Sequence, residues 1–573
     1  MKGTRDGSPA RAPPAVAAVT SGAAIVAQFN TVLAAIGAGD PVRPAAMTTE
    51  PPDRTDPRDA MTGRTEKADG AVLRRMARGS AWMVAARWGV RGIGLVSTII
   101  LARLLRPADF GLVAMGTVTM GFVQVFAEGG QNLAVIRHAD PTPGHFDTAW
   151  TMSAGAGLIV AAVMVAISPL ASWYFHEPRA AHVVELLALA PLINGFTNVG
   201  VVVGFRKDLQ FHKEFRFLIL RKVFPFAVTI PLALLWRDYW ALVVGIICGE
   251  LLAVVASYRM HPYRPHFRLT ELPELWAFSA WMQLTALADF FGSQTDQIVV
   301  GNLAGTASMG SYNIAGDMAT APTNEIVVPT ARALFPVYAT LLHDPARLAQ
   351  SYLSMLSIIA IVALSTGTGV ALVAHDMVAV VLGAKWSAVA SLIPWLALGG
   401  GVWGVAISVN SVLSVTGNTR LAATRNWAFL LLVVPGAVVG GLGWGAPGVA
   451  AARAIAAVLF TPVMFYSLTR VIPVTSAEIV ERIWRPALAA LAMAAIIHLS
   501  GTASIVSLPV RLICNVGLGM AAFAAALLAL WLVAGRPAGA ERMFVEHARD
   551  AWRGRRGRKA ASRVPIAPGQ RDG

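Results

Sequence analysis

The sequence predicts an all-α polytopic membrane protein with about 14 transmembrane helices, arranged as two six-helix lobes followed by a C-terminal helix pair. The 573 residues are 55% hydrophobic and only 14% charged, and their mean hydropathy is +0.59. Soluble domains carry about 25% charged residues. The apolar residues form runs of about 17 to 25 residues, long enough to cross a bilayer as helices, whereas barrel strands would show about 10 residues of alternating polarity.

The apolar runs give the approximate position of each predicted transmembrane helix. Their bounds are 80–102, 110–130, 148–170, 183–204, 216–236, 239–258, 276–302, 309–336, 351–374, 387–414, 421–443, 448–469, 485–500 and 508–534. Residues 1–72 are rich in Ala, Pro, Thr and Asp and are predicted to be a disordered leader. Alternatively, this start is mis-assigned and the chain begins at Met61, which opens a short charged segment before the first run.

An internal similarity suggests two related halves. The segment ARLLRPADFG (102–111) matches GNLAGTASMG (301–310) at three positions, and each joins the first helix of a lobe to the second. The offset of about 200 residues holds six spans with their loops, although chance similarity of Ala, Gly and Leu is the alternative. The predicted organisation is an N-terminal six-helix lobe (73–260), a C-terminal six-helix lobe (275–470), an extra helix pair (485–534) and a basic cytoplasmic tail (535–573).

The net charge of +15 lies largely beside the membrane. Basic residues cluster after the last span, at Arg553, Arg555, Arg556, Arg558 and Lys559. Such clusters bind anionic lipid headgroups, and no aromatic interleaving or known module points to nucleic acid. Because Lys and Arg are more frequent in the loops on the side of the termini, the positive-inside rule predicts that both termini are cytoplasmic.

The sequence shows no convincing catalytic constellation and no Gly-rich phosphate loop with its lysine, so it supports neither a primary ATP pump nor a hydrolase, and the protein is predicted not to be an enzyme. Cys248 and Cys514 fall in predicted spans far apart in the chain, which indicates packing roles. The segment GWGAPG (443–448) fits a dinucleotide-loop spacing, but it lies between two apolar runs and follows no strand. It is predicted to be a membrane turn.

Two arginines lie inside the first span. Arg87 and Arg91 are one helical turn apart, and an arginine at the centre of a spanning helix costs about 2.5 to 3.5 kcal/mol on insertion scales. Guanidinium groups bind diphosphates and acidic sugars bidentately, so the pair is a predicted anion site. The alternative is that the side chains snorkel or pair with structural carboxylates.

The seventh span carries two acidic residues on one face, Asp289 and Asp296. They are predicted to face Arg87 and Arg91 across the transport cavity. Buried carboxylates of this kind pair with cations, or change protonation and couple transport to a proton or sodium gradient. The sequence leaves both roles open.

The eighth span repeats this pattern. Asn313, Asp317 and Asn324 share one face, which predicts further substrate contacts. Glu325 lies beside them and is a candidate for coupling or for a structural pair. Pro322 interrupts the same span and is predicted to be a hinge, because proline frees a backbone carbonyl and permits bending. A static kink is the alternative.

Three single charges in other spans are candidates for coupling or for structural pairs. Glu128 ends the second span, Glu250 lies in the sixth and Arg453 in the twelfth. Single charges of this kind often form ion pairs between helices, so they rank below the arginine pair as candidates for substrate binding.

Six short motifs are spread over residues 74–500. They are GSAW (79–82) followed by Arg87, LARLLRPADFGLVAM (101–115), EGG (128–130), WALV (240–243), GSY (310–312) and LGAKW (382–386). The motif at 101–115 is the most specific, and the others support it jointly. Together they resemble the polysaccharide transporter (oligosaccharide flippase) family of the multidrug, oligosaccharidyl-lipid and polysaccharide exporter superfamily.

This resemblance implies an exporter that moves a lipid-linked oligosaccharide, lipopolysaccharide or exopolysaccharide precursor across the bacterial inner (cytoplasmic) membrane by alternating access. The substrate would be a polyprenyl diphosphate glycan, with the diphosphate on Arg87 and Arg91. Candidate sugar contacts are Trp281, Asn313, Asn324 and Asn410. Members of the family commonly lack the extra C-terminal pair, whereas the related peptidoglycan-precursor flippases have it.

The expected partners are the lipid-linked glycan, membrane lipids, and polysaccharide polymerase or export machinery. No cofactor is expected beyond a coupling proton or sodium ion. One alternative is a cation-coupled drug exporter of the same superfamily, although arginines repel organic cations. Another is a membrane polysaccharide polymerase, which would usually carry a large soluble loop with acidic residues, and the loops here are short.

Overall fold

The computed structural model describes residues 88–127, 135, 142–205, 210–501, 507–537 and 540–542, apart from the side chains of residues 211, 273–285 and 332–333. Described residues all belong to one compact unit, 73–573. The predicted leader, Arg87, Glu128, the side chain of Trp281 and nearly all of the basic tail lie outside the described residues.

Helices make up the described part of the chain, which contains no strand, so the predicted all-α fold is confirmed. They are α1 (88–104), α2 (Pro107–Ala127), α3 (Pro143–Phe175), α4 (Arg179–Leu187), α5 (Leu189–Gly195), α6 (Phe211–Trp236), α7 (Trp240–Met260), α8 (Leu272–Thr340), α9 (Pro345–Val381), α10 (Ser387–Ala406), α11 (Ser408–Val415), α12 (Thr419–Thr469), α13 (Ser476–Leu499) and α14 (Leu508–Val533). Eight described segments are long and apolar enough to cross a membrane. The count of about fourteen crossings stays a prediction.

The two longest helices, α8 and α12, are each broken at a glycine. Gly305 has φ 76° and ψ −177°, and Gly445 has φ 63° and ψ −144°. Both breaks fall between predicted spans, and the second lies in GWGAPG, where a turn was predicted. Pro322 lies in continuous helix, so α8 breaks at Gly305 and not at this proline. The hinge role of Pro322 stays a prediction.

Local sequence signals explain where several helices begin. Pro107 is the first residue of α2, where its missing N–H is not needed. Thr475 and Glu478 form a capping box, in which Glu478 N–H donates to the threonine hydroxyl at 3.3 Å and Thr475 N–H donates to the glutamate at 2.8 Å. The hydrogen bonds that the Glu478 carboxylate accepts from the Thr475 N–H and hydroxyl lower its pKa. The box begins α13 at Ser476, well before the predicted bound of 485.

The largest core cluster surrounds α2. Met115 and Leu112 are fully buried there, and Gly116 packs directly against Leu187 of α4. Small residues let helices approach closely, which is how helix pairs gain packing energy in a membrane. The core thus packs α2 against α4 and, most extensively, against α8.

The C-terminal pair, α13 and α14, packs against α9. Arg511 at the start of α14 forms an ion pair with Asp376 near the end of α9, with Nε donating to Oδ2 at 2.9 Å. Arg485 of α13 pairs with Glu541 at 3.0 Å, and both side chains are almost fully buried. The extra pair is therefore attached to the preceding helices by charges as well as by apolar contacts.

The segment between α7 and α8 is fastened to the start of α3. Tyr263 donates to the Asp147 carboxylate at 2.5 Å, and the His266 N–H donates to the same oxygen at 3.1 Å. Burial and this carboxylate raise the pKa of Tyr263, so the phenol remains a donor. The connection between the predicted lobes is thus held on the first of them.

Candidate functional site

The candidate site is built around Arg91, which joins α1 to the second part of α8. Its guanidinium donates to the carbonyl oxygen of Asp317 at 3.2 Å. Its Nε lies 3.7 Å from the Glu325 carboxylate, a distance suited to an ion pair but too long for a hydrogen bond. The side chains of Arg91 and Glu325 are 29% and 14% exposed. The pair is therefore shielded and still accessible to a ligand.

A second cation, Lys222, reaches the same region from the middle of α6. A Cβ atom placed on Gly94 of α1 would lie 3.3 Å from Lys222 Cε. Arg91 and Asp317 are its charged neighbours. Lys222 is not among the predicted site residues, although it falls inside the predicted span 216–236 and the cost of a buried charge applies to it as it does to Arg87 and Arg91.

The neighbouring residue on α6, Arg221, forms a third charge pair. It donates to both oxygens of Glu250 on α7, at 3.3 and 3.2 Å, and to Asn194 on α5 at 3.2 Å. Glu250, a candidate for coupling or for a structural pair, is thus observed in an ion pair. Arg221 is likewise not among the predicted site residues, although it lies in the same predicted span, 216–236.

Of these groups, Arg221, Lys222 and Glu250 border an open cavity of about 520 Å³ among α1, α2, α6, α7 and α8. Its polar lining includes Arg221, Lys222, Glu250 and Asn313, and the remainder is mostly apolar. Each cation in this region has a carboxylate neighbour, so an anionic ligand would compete with carboxylates for the cations. The arrangement can bind an anion and release it again.

The two acidic residues of the seventh span contact α12 instead of Arg91. Asp289 accepts a hydrogen bond from Asn426 at 3.1 Å. Asp296, buried, pairs with Arg453 at 3.2 Å and accepts from the Tyr312 hydroxyl at 2.8 Å. These aspartates were predicted to face Arg87 and Arg91, but in the structure their partners lie on α12 and not at Arg91. Arg87 is outside the described residues. The break at Gly305 turns α8 back on itself, and it is the later part that meets α1.

The substitution Asp296→Asn is expected to destabilise the protein by about 3 kcal/mol, because it leaves the Arg453 guanidinium without its carboxylate in a shielded site. Thermal unfolding of the purified protein measures this loss. The control is Asp344→Asn, which removes a carboxylate from an exposed pair with Arg347. Equal melting temperatures for the two variants would contradict a stabilising role for the Asp296 pair.

The other predicted residues divide between this site and the undescribed part of the chain. Asn313 lines the cavity and donates to Gln297 at 3.4 Å, while Asn324 precedes Glu325 on α8. The predicted positions Arg87 and Glu128 lie outside the described residues. Among the residues that the structure describes, no three His, Cys, Asp or Glu side chains are placed to hold a metal ion.

The connection between α1 and α2 is bonded to the connection between α9 and α10. Arg103 donates to the carbonyl oxygens of Val381 at 2.9 Å and Val380 at 2.5 Å. In return, Lys385 donates to the carbonyl oxygens of Arg103 at 2.9 Å and Leu105 at 2.6 Å. Two positively charged side chains therefore cap backbone carbonyls across nearly 280 residues of sequence.

Trp386 completes this contact from the LGAKW motif. It is fully buried, and its indole N–H donates to the Ala102 carbonyl oxygen at 2.8 Å. Its ring meets Phe110 edge-on, with 5.4 Å between the centroids. The two motifs that are far apart in sequence thus form one structural unit.

Two glycines bring α2 and α8 into direct backbone contact at the same end. A Cβ atom on Gly111 would lie 1.7 Å from the Thr306 carbonyl oxygen, and one on Gly310 would lie 1.9 Å from the Pro107 carbonyl oxygen. No side chain fits at either position. We call these interactions of residues 102–111 with 306–310 and 380–386 the connector contact.

Comparison with known proteins places these motifs in a family. Residues 100–391 match the family model described as "Polysaccharide biosynthesis protein". The lipopolysaccharide biosynthesis protein WzxC of Escherichia coli (strain K12) is 22% identical over 417 residues, covering 71% of this chain and 84% of that protein. The succinoglycan biosynthesis transport protein ExoT of Rhizobium meliloti (strain 1021) is 24% identical over 331 residues, covering 57% of this chain and 66% of that protein.

Solved structures share the fold. The lipid II flippase MurJ in an inward closed conformation superposes with a TM-score of 0.64 at 13% identity, covering 79% of this chain and 99% of that chain. An inward-facing multidrug resistance MATE family transporter of the MOP superfamily gives 0.50 at 16% identity, covering 67% and 94%. The family model spans just over half of the 573 residues, and it includes the whole connector contact. The chain therefore belongs to the polysaccharide biosynthesis protein family, as its motifs predicted.

Proposed function

We propose that this protein is a flippase that translocates a lipid-linked oligosaccharide or exopolysaccharide precursor across the bacterial inner membrane by alternating access. The observation that carries the proposal is a cluster of charged residues inside apolar helices. Arg91 lies 3.7 Å from the Glu325 carboxylate, and Asp317 is a charged neighbour of both Arg91 and Lys222. The names of the relatives, which refer to lipopolysaccharide and succinoglycan biosynthesis, support a glycan as the cargo.

The headgroup of such a substrate explains the cations. A polyprenyl diphosphate carries negative charge and sugars, so its passage needs cations and hydrogen-bonding groups, while its lipid tail stays in the bilayer. The planar guanidinium of Arg91 would bind two diphosphate oxygens, and Lys222 would add a point charge. Asn313, on the wall of the same cavity, would contact the first sugar.

The carboxylates give the site a means of release. Glu325 and Asp317 compete with the diphosphate for Arg91 and Lys222, and protonation of Asp317 would remove its share of that competition. Proton uptake would thus favour binding, and proton loss would favour release. This supports proton coupling as part of the proposal.

The connector contact supplies the closed side that alternating access requires. With both termini in the cytoplasm, as the charge distribution predicts, the α1–α2 connection lies on the periplasmic side. The contact would therefore seal the periplasmic end while the cargo enters from the cytoplasm. A polysaccharide polymerase or export machinery on the periplasmic side would then receive the translocated glycan.

The proposal is tested in spheroplasts of the native bacterium. A membrane-impermeant oxidant labels lipid-linked glycan at the outer face, and the labelled fraction is compared between the wild type, a deletion strain and the complemented deletion strain. We expect labelling to be lost in the deletion strain and restored by the gene. Unchanged labelling in the deletion strain, with the glycan still synthesised, would contradict the proposed function.

A further inference from the structure

Arg425, near the start of α12, is a buried cation whose observed partners are neutral. The residue is only 4% exposed. One terminal nitrogen donates to the Ser467 hydroxyl at 3.3 Å, and the other donates to the side-chain oxygen of Asn410. Its Nε is buried without a hydrogen-bond partner. Within the described residues, no carboxylate forms an ion pair with it.

A buried charge of this kind is costly to keep. A guanidinium removed from water loses solvation that a hydroxyl and an amide do not fully replace. Tyr352, nearby, is fully buried and hydrogen-bonded to Ser408 at 3.2 Å, so it is a neutral neighbour. The positive potential of Arg425 is therefore left for a group that the described part of the chain does not provide.

That potential reaches an open cavity through Asn410. A cavity of about 480 Å³ lies between the later part of α8 and α11, and it is lined by Val328, Ala331, Phe335, Pro336, Ile407, Asn410, Ser411 and Ser414. Arginine only donates hydrogen bonds, so the amide oxygen of Asn410 must face Arg425. The amide N–H groups of Asn410 are then free to face the cavity. The nearby guanidinium polarises the amide and makes these groups stronger donors.

The lining of this cavity is mostly apolar, and its polar side chains lie on one wall. Asn410, Ser411 and Ser414 supply hydrogen-bond donors on one wall, in the positive field of Arg425. Phe335 is 46% exposed on the opposite helix and offers an aromatic face. Donors in a positive field suit a carboxylate, and an aromatic face suits the apolar side of a sugar ring.

We propose that this pocket, separate from the cavity at Lys222, is a glycan subsite that binds a sugar bearing a carboxylate. Asn410 donates to the carboxylate, Phe335 stacks on the ring, and Arg425 is a positioning residue that acts through Asn410. The inference rests on the proposed function, because it takes the glycan of the lipid-linked cargo as the ligand. It adds that the cargo is recognised by an acidic sugar as well as by its diphosphate.

The test uses the full-length protein in nanodiscs and saturation-transfer NMR, with D-glucuronate and D-glucose as probes. Asn410→Asp keeps the shape of the side chain and its contact with Arg425, but it turns a donor into an anion. We expect glucuronate binding to fall at least about tenfold, or about 1.4 kcal/mol, while glucose binding is unchanged. Asn418→Asp is the matched control, because Asn418 bonds within its own turn outside the pocket.

Two results would overturn the inference. One is equal glucuronate binding by the wild type and Asn410→Asp. The other is displacement of glucuronate by inorganic phosphate at a lower concentration than by unlabelled glucuronate, which would identify a phosphate site. Phe335→Leu provides a second variant if Asn410→Asp does not fold, and it is expected to weaken both sugars.

Failure of the subsite can be told apart from failure of the proposed function. Translocation is measured with lipid-linked glycans that differ only in one sugar, glucuronate or glucose. The wild type should translocate the acidic glycan faster than the neutral one, and Asn410→Asp should lose this preference. A wild type that binds glucuronate but translocates neither glycan would contradict the flippase, whereas a variant that keeps the preference would contradict the subsite alone.

Discussion

Replacing Arg91 by glutamine is expected to reduce translocation of a lipid-linked glycan by about 10- to 100-fold. A hydrogen bond to a charged group contributes about 1.5–3 kcal/mol, and each 1.4 kcal/mol corresponds to about tenfold. The glutamine also removes the cation that faces Glu325 at 3.7 Å, next to the position where the diphosphate would bind. The measurement is the rate at which a labelled lipid-linked oligosaccharide becomes accessible in proteoliposomes.

A double variant separates ligand binding from structural pairing. If Arg91 serves only to neutralise Glu325, the variant Arg91→Gln with Glu325→Gln restores a neutral interface and should recover translocation. If Arg91 binds the diphosphate, the double variant remains impaired, because no guanidinium is left for the ligand. Recovery to the wild-type rate would return Arg91 to a structural role.

Arg91→Lys tests the geometry of the contact. Lysine keeps the charge but lacks the planar fork that binds two oxygens, so translocation should fall by less than in the glutamine variant. Arg179→Gln is the matched control, because Arg179 forms an exposed pair with Glu177 outside the cavity. Full activity of both Arg91 variants would exclude an essential cation at this position.

The sequence predicts the helices well because apolar run length is a local property. The run at 239–258 became α7, Trp240–Met260, and the two glycine breaks fall where adjacent runs were separated. The apolar run placed the start of the thirteenth span at 485, whereas α13 begins at Ser476, because its first turns carry the charged residues Glu478 and Glu481. The Thr475–Glu478 capping box in the sequence carried that information instead.

Partner choice could be predicted only in part, because helical periodicity shows which residues share a face and not what the face meets. Asp289 and Asp296 do share a face, but the turn at Gly305 directs it to α12. Glu325, a candidate for coupling or for a structural pair, pairs with Arg91, but its partner could not be read from the sequence. Arg221 and Lys222 could have been predicted from the sequence, because each is a charge inside an apolar span, which is the criterion that identified Arg91.

Substituting Gly111 by valine is expected to open the α1–α2 end and to slow translocation by at least about tenfold. Any Cβ atom at this position meets the Thr306 carbonyl oxygen, and overpacking of such a contact costs about 1–3 kcal/mol. If the connector contact is one of two states in the transport cycle, that cost shifts the population toward the state in which it is broken. Gly155→Val is the matched control, because no heavy atom lies within 4 Å of the added Cβ.

The shift is measured with a cysteine at Thr117, which lines the cavity on α2, in a background where Cys248 and Cys514 are replaced by alanine. A membrane-impermeant maleimide added from the periplasmic side should label this cysteine slowly when the connector contact is intact and faster in Gly111→Val.

Lys385→Ala removes two hydrogen bonds of the same contact without adding bulk, so it should change labelling in the same direction. Gly111→Val adds bulk and Lys385→Ala removes a side chain, so the only effect that they share is loss of the connector contact. Faster labelling in both variants would therefore identify this contact as the seal. Labelling at the Gly155→Val rate in both variants would show that the cavity is closed elsewhere.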